Sequence, residues 1–296
     1  MNREEKLAEF SSLVRKLTPN LGITETVIPS LLLFRETQGH GREPAIYDAG
    51  IGICASGRKN LYLDNQCYEQ SAGQFLAMFL PMAIECEVLE ASEEEPLMGI
   101  GVFLDRHRLA NLLLRMEQHR VPSDKPVSGK QTFNASGIIS DAINDELLDT
   151  SIRIVKALQN PVEAALFGDQ LIDELYFRIL SYQSDGALNK LLQQQGQLQQ
   201  ISKAVEQVHR HLEKNFSVEE LASIVNMSSS GFHKKFKEVM HLSPLQYAKQ
   251  VKLGKAQNYL MEGDSVSEAG FKVGYNSPAQ FSREYKRHFG EVPSAI

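Results

Sequence analysis

Only three cysteines, Cys54, Cys67 and Cys86, occur among the 296 residues, and none sits in a Cys-x-x-Cys pair. The chain therefore offers neither a disulfide framework nor a zinc ligand set. Histidine is equally scarce: before residue 197 it stands only at His40, His107 and His119, with no His-x-His. There is also no Ser/His/Asp constellation, no glycine-rich phosphate loop and no paired His/Glu spacing, so neither an enzyme, a metal nor a cofactor is expected. No apolar run approaches the roughly 20 residues needed to span a bilayer. The opening MNREEKLAEF is charged where a signal peptide would be apolar. These absences exclude membrane-spanning and disulfide-stapled classes and leave a cytoplasmic protein as the expectation.

What is present is the composition of a soluble globular chain, 42% apolar and 23% charged, long enough for two domains. Its charge is uneven. Residues 197–296 hold 13 Lys and Arg against 10 Asp and Glu, a net of +3, while the remaining 18 and 27 give residues 1–196 a net of −9. A mildly basic C-terminal part on an acidic N-terminal part fits a polyanion-binding module tethered to a regulatory one.

Residues 1–20 carry Leu7, Phe10, Val14 and Leu17 on one helical stripe, stopped at Pro19. From Thr24 to Asp105 short apolar runs recur about every ten residues between Gly, Pro, Asn and Asp clusters such as Asp64-Asn65. Ile84, Cys86 and Val88 alternate with Glu85 and Glu87, the two-residue period of a strand. This spacing predicts a small double-sheet barrel or jelly roll. Helical character returns with Leu109, Leu112, Leu113 and Met116. A polar stretch from Val121 to Gly137 follows, then a helical run from Ile138 to Tyr182 broken at Asn160-Pro161. The wide apolar arc of Leu171, Ile172, Leu175, Tyr176, Ile179 and Leu180 serves either as core or as a homodimer surface. The Gln- and Ser-rich residues 183–200 read as a solvated linker or helix edge, with the domain boundary near Leu191 to Gln197.

The last hundred residues contain one pattern twice. Ser217 caps a helix with Glu219 and Glu220 in its first turn; Asn226-Met227-Ser228 makes a turn; a second helix runs from Ser229 towards Met240. Its Phe232, Phe236 and Val239 point inward, and Ser230, His233, Lys234 and Lys237 outward. After a connecting helix over Leu245–Leu260, Val266–Val273 forms a short helix, Gly274-Tyr275-Asn276 the turn, and Ser277–Phe289 the last helix. There Pro278 suits the first helical position, Phe281, Tyr285 and Phe289 share one face, and Gln280, Arg283 and Arg287 the other. Two short helices joined by a tight turn, the second polar outside, is the helix-turn-helix pattern. The connecting helix, about 24 Å long, is a suitable spacer for recognition helices one DNA turn apart.

At these residues the chain resembles the AraC/XylS family of bacterial transcription regulators. The matching positions include Leu221, Ala222, Phe232, Phe236, Ser243-Pro244, Tyr247, Gly274-Tyr275, Phe281-Ser282-Arg283, Phe289-Gly290 and Pro293. GRKNLYLDNQCYEQSAGQFLAMFLP and ASEEEPLMGIGVFLD resemble stretches of that family's cupin-like effector domain. The resemblance implies an α+β chain. Residues 1–190 form a cupin-like antiparallel β-barrel (jelly roll) with a helical hairpin, 191–200 a linker, and 201–296 an all-α DNA-binding domain with two helix-turn-helix motifs, about 218–240 and 266–289. Base reading then falls on Ser230, His233 and Lys234 in the first unit and on Pro278, Ala279, Gln280 and Arg283 in the second. Ser228, Lys237, Ser277, Lys286 and Arg287 are the phosphate contacts. Three departures stand out: Lys252 in place of arginine, Ala269-Gly270 in place of Ile-Ala, which predicts a softer second unit, and Gly254, which lowers the stiffness of the connecting helix. The implied function is sequence-specific binding of double-stranded promoter DNA, with RNA polymerase as a further partner and a small-molecule effector in the barrel. The alternative is a ligand-binding or cupin-type enzymatic domain with a vestigial DNA module. The three cysteines are candidate sensors of oxidants or electrophiles.

Overall fold

The computed structural model describes residues 2–63, 66–119, 138–182 and 200–295. Among the described residues up to Phe103 there are nine strands: β1 Gly22–Glu25, β2 Leu31–Glu36, β3 His40–Tyr47, β4 Gly50–Ser56, β5 Arg58–Leu63, β6 Gln66–Ser71, β7 Gln74–Met78, β8 Met82–Glu90 and β9 Leu97–Phe103. With β10 (Ile138–Ala142) they form two antiparallel sheets, ordered β1-β2-β9-β4-β7-β10 and β3-β8-β5-β6. The jelly-roll expectation is met as two sheets rather than as a closed barrel. The recurrent apolar runs are the inward faces: on β5 the two-residue period buries Lys59, Leu61 and Leu63 together.

One expectation changes. Ile138 does not open a helix; Ile138–Ala142 is a strand antiparallel to β7, with Ile138 opposite Met78. Two adjacent isoleucines, both buried, close the edge of the six-stranded sheet, and five residues are too few to display a period of two. The helical hairpin begins after it, with α3 (Asp145–Ala157) capped by Asn144 and α4 (Pro161–Tyr182) starting at the predicted break.

The N-terminal helix α1 (Arg3–Leu17) lies against α3, with ion pairs Lys6–Asp149 at 2.7 Å and Lys156–Glu9 at 2.7 Å. From α2 (Arg106–Gln118), Arg108 grips Asp169 and Asp173 of α4 at 2.7 and 2.8 Å. Tyr176 of α4 donates from Oη to the Phe103 carbonyl at the end of β9, at 2.7 Å. Ile172, Leu175, Tyr176, Ile179 and Leu180 are all buried in this chain's own core. A homodimer contact on α4 would have to use its other side, where Val162, Leu166 and Phe167 are exposed.

The C-terminal part is helical: α5 (200–210), α6 (Val218–Ile224), α7 (Ser229–Met240), α8 (Pro244–Met261), α9 (Val266–Lys272) and α10 (Pro278–Phe289). Ser217 with Glu220, and Ser265 with Glu268, form capping boxes at the starts of α6 and α9. Two cores hold these helices. Leu221, Phe232, Phe236, Tyr247 and Val251 belong to a cluster that continues into Leu61, Leu63, Met82 and Ile84 of the four-stranded sheet. Leu253, Ala256, Ala269, Val273, Phe281 and Tyr285 form a separate one. The predicted linker, 191–200, lies outside the described residues but for Gln200.

Candidate functional site

Each recognition helix is built from a cap outward. Ser228 accepts from the Gly231 N–H to start α7, and Ser277 accepts from the Gln280 N–H to start α10. Both hydroxyls predicted as phosphate contacts therefore already hold a helix end. Phe232, Phe236 and Val239 turn inward on α7, leaving Ser230, His233, Lys234 and Lys237 exposed together along one side. On α10 the rings of Phe281, Tyr285 and Phe289 stack in succession, with centroids 5.6 and 4.5 Å apart. Pro278, Ala279, Gln280, Arg283 and Lys286 are exposed on the side facing away. The structure thus brings the predicted residues together as two polar strips.

Arg287 sits apart from its strip: although exposed, it lines a cleft of about 800 Å³ between the two domains, with Asp48, Glu85, Lys255 and His288. Gln280 is engaged, donating from Nε2 to Glu284 at 3.3 Å. Glu284 also takes Lys249 Nζ at 3.0 Å and the Tyr275 hydroxyl at 3.1 Å. Burial works against this carboxylate, but the hydrogen bonds from Lys249, Gln280 and Tyr275 outweigh it and hold Glu284 below the usual carboxylate range.

A second polar relay joins the units. Lys252, which is buried, donates to Asn215 Oδ1 at 2.7 Å, and Asn215 Nδ2 donates to the Gly274 carbonyl at 3.3 Å. Lys252 thus ties α8 to the loop before α6 and, through Asn215, to the turn of the second unit. Gly274 has φ +83, and a Cβ there would lie 2.3 Å from the Glu213 carbonyl oxygen, so the turn of the second unit admits only glycine. Nor does Gly270 leave a void: the Phe281 ring lies 3.1 Å from where its Cβ would be. What reads in the sequence as lost apolar mass is a close helix approach.

The helical C-terminal half is seated on the sheets through α8. A Cβ on Gly254 would lie 3.0 Å from Ile46 Cγ1 of β3, so the glycine that reads as a flexible point is a contact point. Tyr247 Oη donates to the Pro81 carbonyl at 3.1 Å, and His209 Nε2 lies 2.8 Å from the Tyr247 phenol oxygen. With the phenol hydrogen given to Pro81, the imidazole must be the donor, which places its proton on Nε2. Burial pushes the His209 imidazole below its ordinary range and the Tyr247 phenol far above its own, so both are neutral at pH 7.

Inside the sandwich is a cavity of about 370 Å³, lined mainly by apolar residues such as Phe34, Ile51, Leu61 and Met78. Lys59 reaches into it and is 7% exposed. Its Nζ donates to Tyr47 Oη at 3.3 Å and stands 4.8 Å from the centre of the Phe34 ring. Burial pushes the Tyr47 phenol and the Cys54 thiol each up to about 12, and raises Cys86 as well. Buried, neutral Cys54 and Cys86 are poor nucleophiles, whereas Cys67 is exposed. Sequence reasoning named no cavity residue. The signal was there, since the period that turns Leu61 and Leu63 inward does the same to Lys59. Among the described residues no helix is long and apolar enough to cross a membrane. None of their His, Cys, Asp and Glu side chains gather as metal ligands.

The family described as "AraC-type transcriptional regulator N-terminus" matches residues 27–187, and "Helix-turn-helix domain" matches 221–296. The chain is 22% identical over 274 residues to the lactose operon transcription activator of Staphylococcus xylosus, covering 92% of this chain and 85% of that one. It is 35% identical over 95 residues to the HTH-type transcriptional regulator AlkR of Acinetobacter baylyi, covering 32% of this chain and 31% of AlkR. The fold resembles that of Vibrio cholerae ToxT crystallised with an unsaturated fatty acid bound, with a TM-score of 0.56 at 10% identity over 90% of this chain and 92% of ToxT. With a sandwich carrying a cavity, two helix-turn-helix units and family matches across both halves, the chain belongs to the AraC-type transcriptional regulators.

Proposed function

We propose that this regulator reads promoter DNA with α7 and α10 and is controlled by a small molecule held in the cavity of its sandwich. The observation that carries this is the pair of exposed polar strips on one helical scaffold, the first of which shares its core with the cavity-bearing domain. Ser230, His233 and Lys234 read bases on one side; Gln280 and Arg283 do so on the other, with apolar contact from Pro278 and Ala279. Lys237 and Lys286 hold phosphates. Arg287, in the cleft, is better placed for interdomain contact. That ToxT binds a fatty acid supports a ligand-filled N-terminal domain. Such a regulator works in the cytoplasm, beside RNA polymerase, and pairs with a second copy through a surface other than the buried arc of α4.

Selection of bound sequences from random double-stranded DNA, followed by titration of the selected site, tests this reading. Specific binding should exceed random binding by about 10³-fold or more and weaken steeply with salt. Equal affinity for selected and random DNA at low salt, with or without candidate effectors, would sink it.

A further inference from the structure

Lys59 is a cation without a counter-charge. Among the described residues no carboxylate lies within ion-pair distance of it, and its hydrogen-bond partner is a phenol. Glu36 and Asp48 line the same cavity, but the Glu36 carboxylate sits at the rim, 3.9 Å from His40, and Asp48 is exposed on the cleft side. Tyr47, Cys54 and Cys86 are neutral at physiological pH, so none balances the charge. A desolvated ammonium is costly unless an anion meets it. Position 59 is nonetheless lysine, on a strand face otherwise given to leucine.

We infer that the cavity takes a monocarboxylate with an apolar body, its carboxylate on Lys59 Nζ and the Tyr47 hydroxyl and its body against Phe34, Leu61, Leu76 and Met78. This rests on the reading of the cavity as the effector site. The charge count favours one negative charge, because Lys59 is the single cationic side chain of the lining and Gln70 already donates to the Gly52 carbonyl at 2.8 Å. A phosphate would bring more charge and more acceptors than the lining answers. The volume of 370 Å³ corresponds to about a dozen water molecules in the liquid, room for roughly ten to fifteen heavy atoms. Ile23, largely exposed, and Phe103, partly so, stand at the mouth, where an apolar tail would leave. Ile46 lines both this cavity and the interdomain cleft and meets α8 at Gly254, so an occupant is one side chain away from the DNA-binding half.

The test uses the full chain, with decanoate and 4-phenylbutanoate as probes and their primary amides as neutral partners of equal size. By titration calorimetry at pH 7.5, an acid should bind at least tenfold tighter than its amide. In Lys59→Met that preference should vanish while the amide's affinity stays within about threefold. The empty variant should also melt higher than the native chain, by about 2 °C or more, because a desolvated charge is gone. Equal binding of acid and amide by the native chain, no acid binding, or a preference that survives Lys59→Met would each overturn the inference; the first two do not depend on the variant folding. DNA titrations run in parallel separate this claim from the one beneath it. Specific DNA binding with no acid binding removes the ligand class and keeps the regulator. Acid binding that leaves DNA affinity unchanged keeps the ligand class and removes effector control by it.

Discussion

The two helix-turn-helix units have the same parts in different surroundings. Both begin with a Ser–Glu capping box and end in a helix pinned by aromatic rings. The first is continuous with the core of the effector domain, through Phe236, Tyr247 and Leu61; the second closes on a core of its own around Phe281 and Tyr285. α7 is joined to the sheets through Phe236, whose ring packs on Tyr247 of α8. α10 approaches β3 itself at the interdomain cleft and is tied to α8 by the Lys249–Glu284 ion pair. Equal motifs, held to the sheets by different contacts, is the lesson of the pair.

The strongest way to break the comparison is to hollow each core. Phe236→Ala and Phe281→Ala should each cost about 3–5 kcal/mol. The first should lower hydrogen-exchange protection in both domains, and the second only in α9, α10 and the end of α8. Uniform loss from Phe281→Ala would show that the second core is not separate. Next in size are the reading positions. His233→Ala and Gln280→Ala should each cost about 1–3 kcal/mol on the best site and relax preference at one or two base pairs, as scored by selected-sequence profiles. The loss should be larger for His233, because Gln280 must leave Glu284 before it can reach a base. Smaller and sequence-independent effects belong to Lys237→Ala and Lys286→Ala. Each should lower the salt slope of binding by about one without changing the preferred site.

The smallest effect sharpens the link between the first unit and the sheets. His209 is held neutral below the ordinary histidine range by burial, whereas in the unfolded chain it protonates near about 6.5. The stability it contributes is complete above that value and is lost as pH falls through it towards the folded pKa. Urea midpoints between pH 7.5 and 5.5 should therefore fall more for the native chain than for His209→Gln; parallel curves would assign the acid sensitivity elsewhere.

The DNA-binding helices were legible in the sequence because their signals are local. A serine cap, an acid three residues on, and aromatics every fourth residue settle where a helix starts and which face it buries, whatever lies beyond it. The cavity was not legible, because Lys59 faces a sheet contributed by residues far along the chain, and neither sheet announces its partner. The same holds for Ile138–Ala142, whose strand character depends on a free edge at β7. Gly254 and Gly270 carry a second meaning the sequence leaves out: propensity counts what a glycine costs its own helix and takes no account of what it lets approach.

That closeness has a genetic corollary at Gly254. The ridge of Ile46 meets α8 where no side chain intervenes. One methyl group there would force Ile46 or the helix to give by a few tenths of an ångström, without touching a DNA-facing residue. Selections for alleles that respond without inducer should accordingly recover Gly254→Ala or Gly254→Ser, with compensating revertants at Ile46 that shorten the facing side chain to valine or alanine.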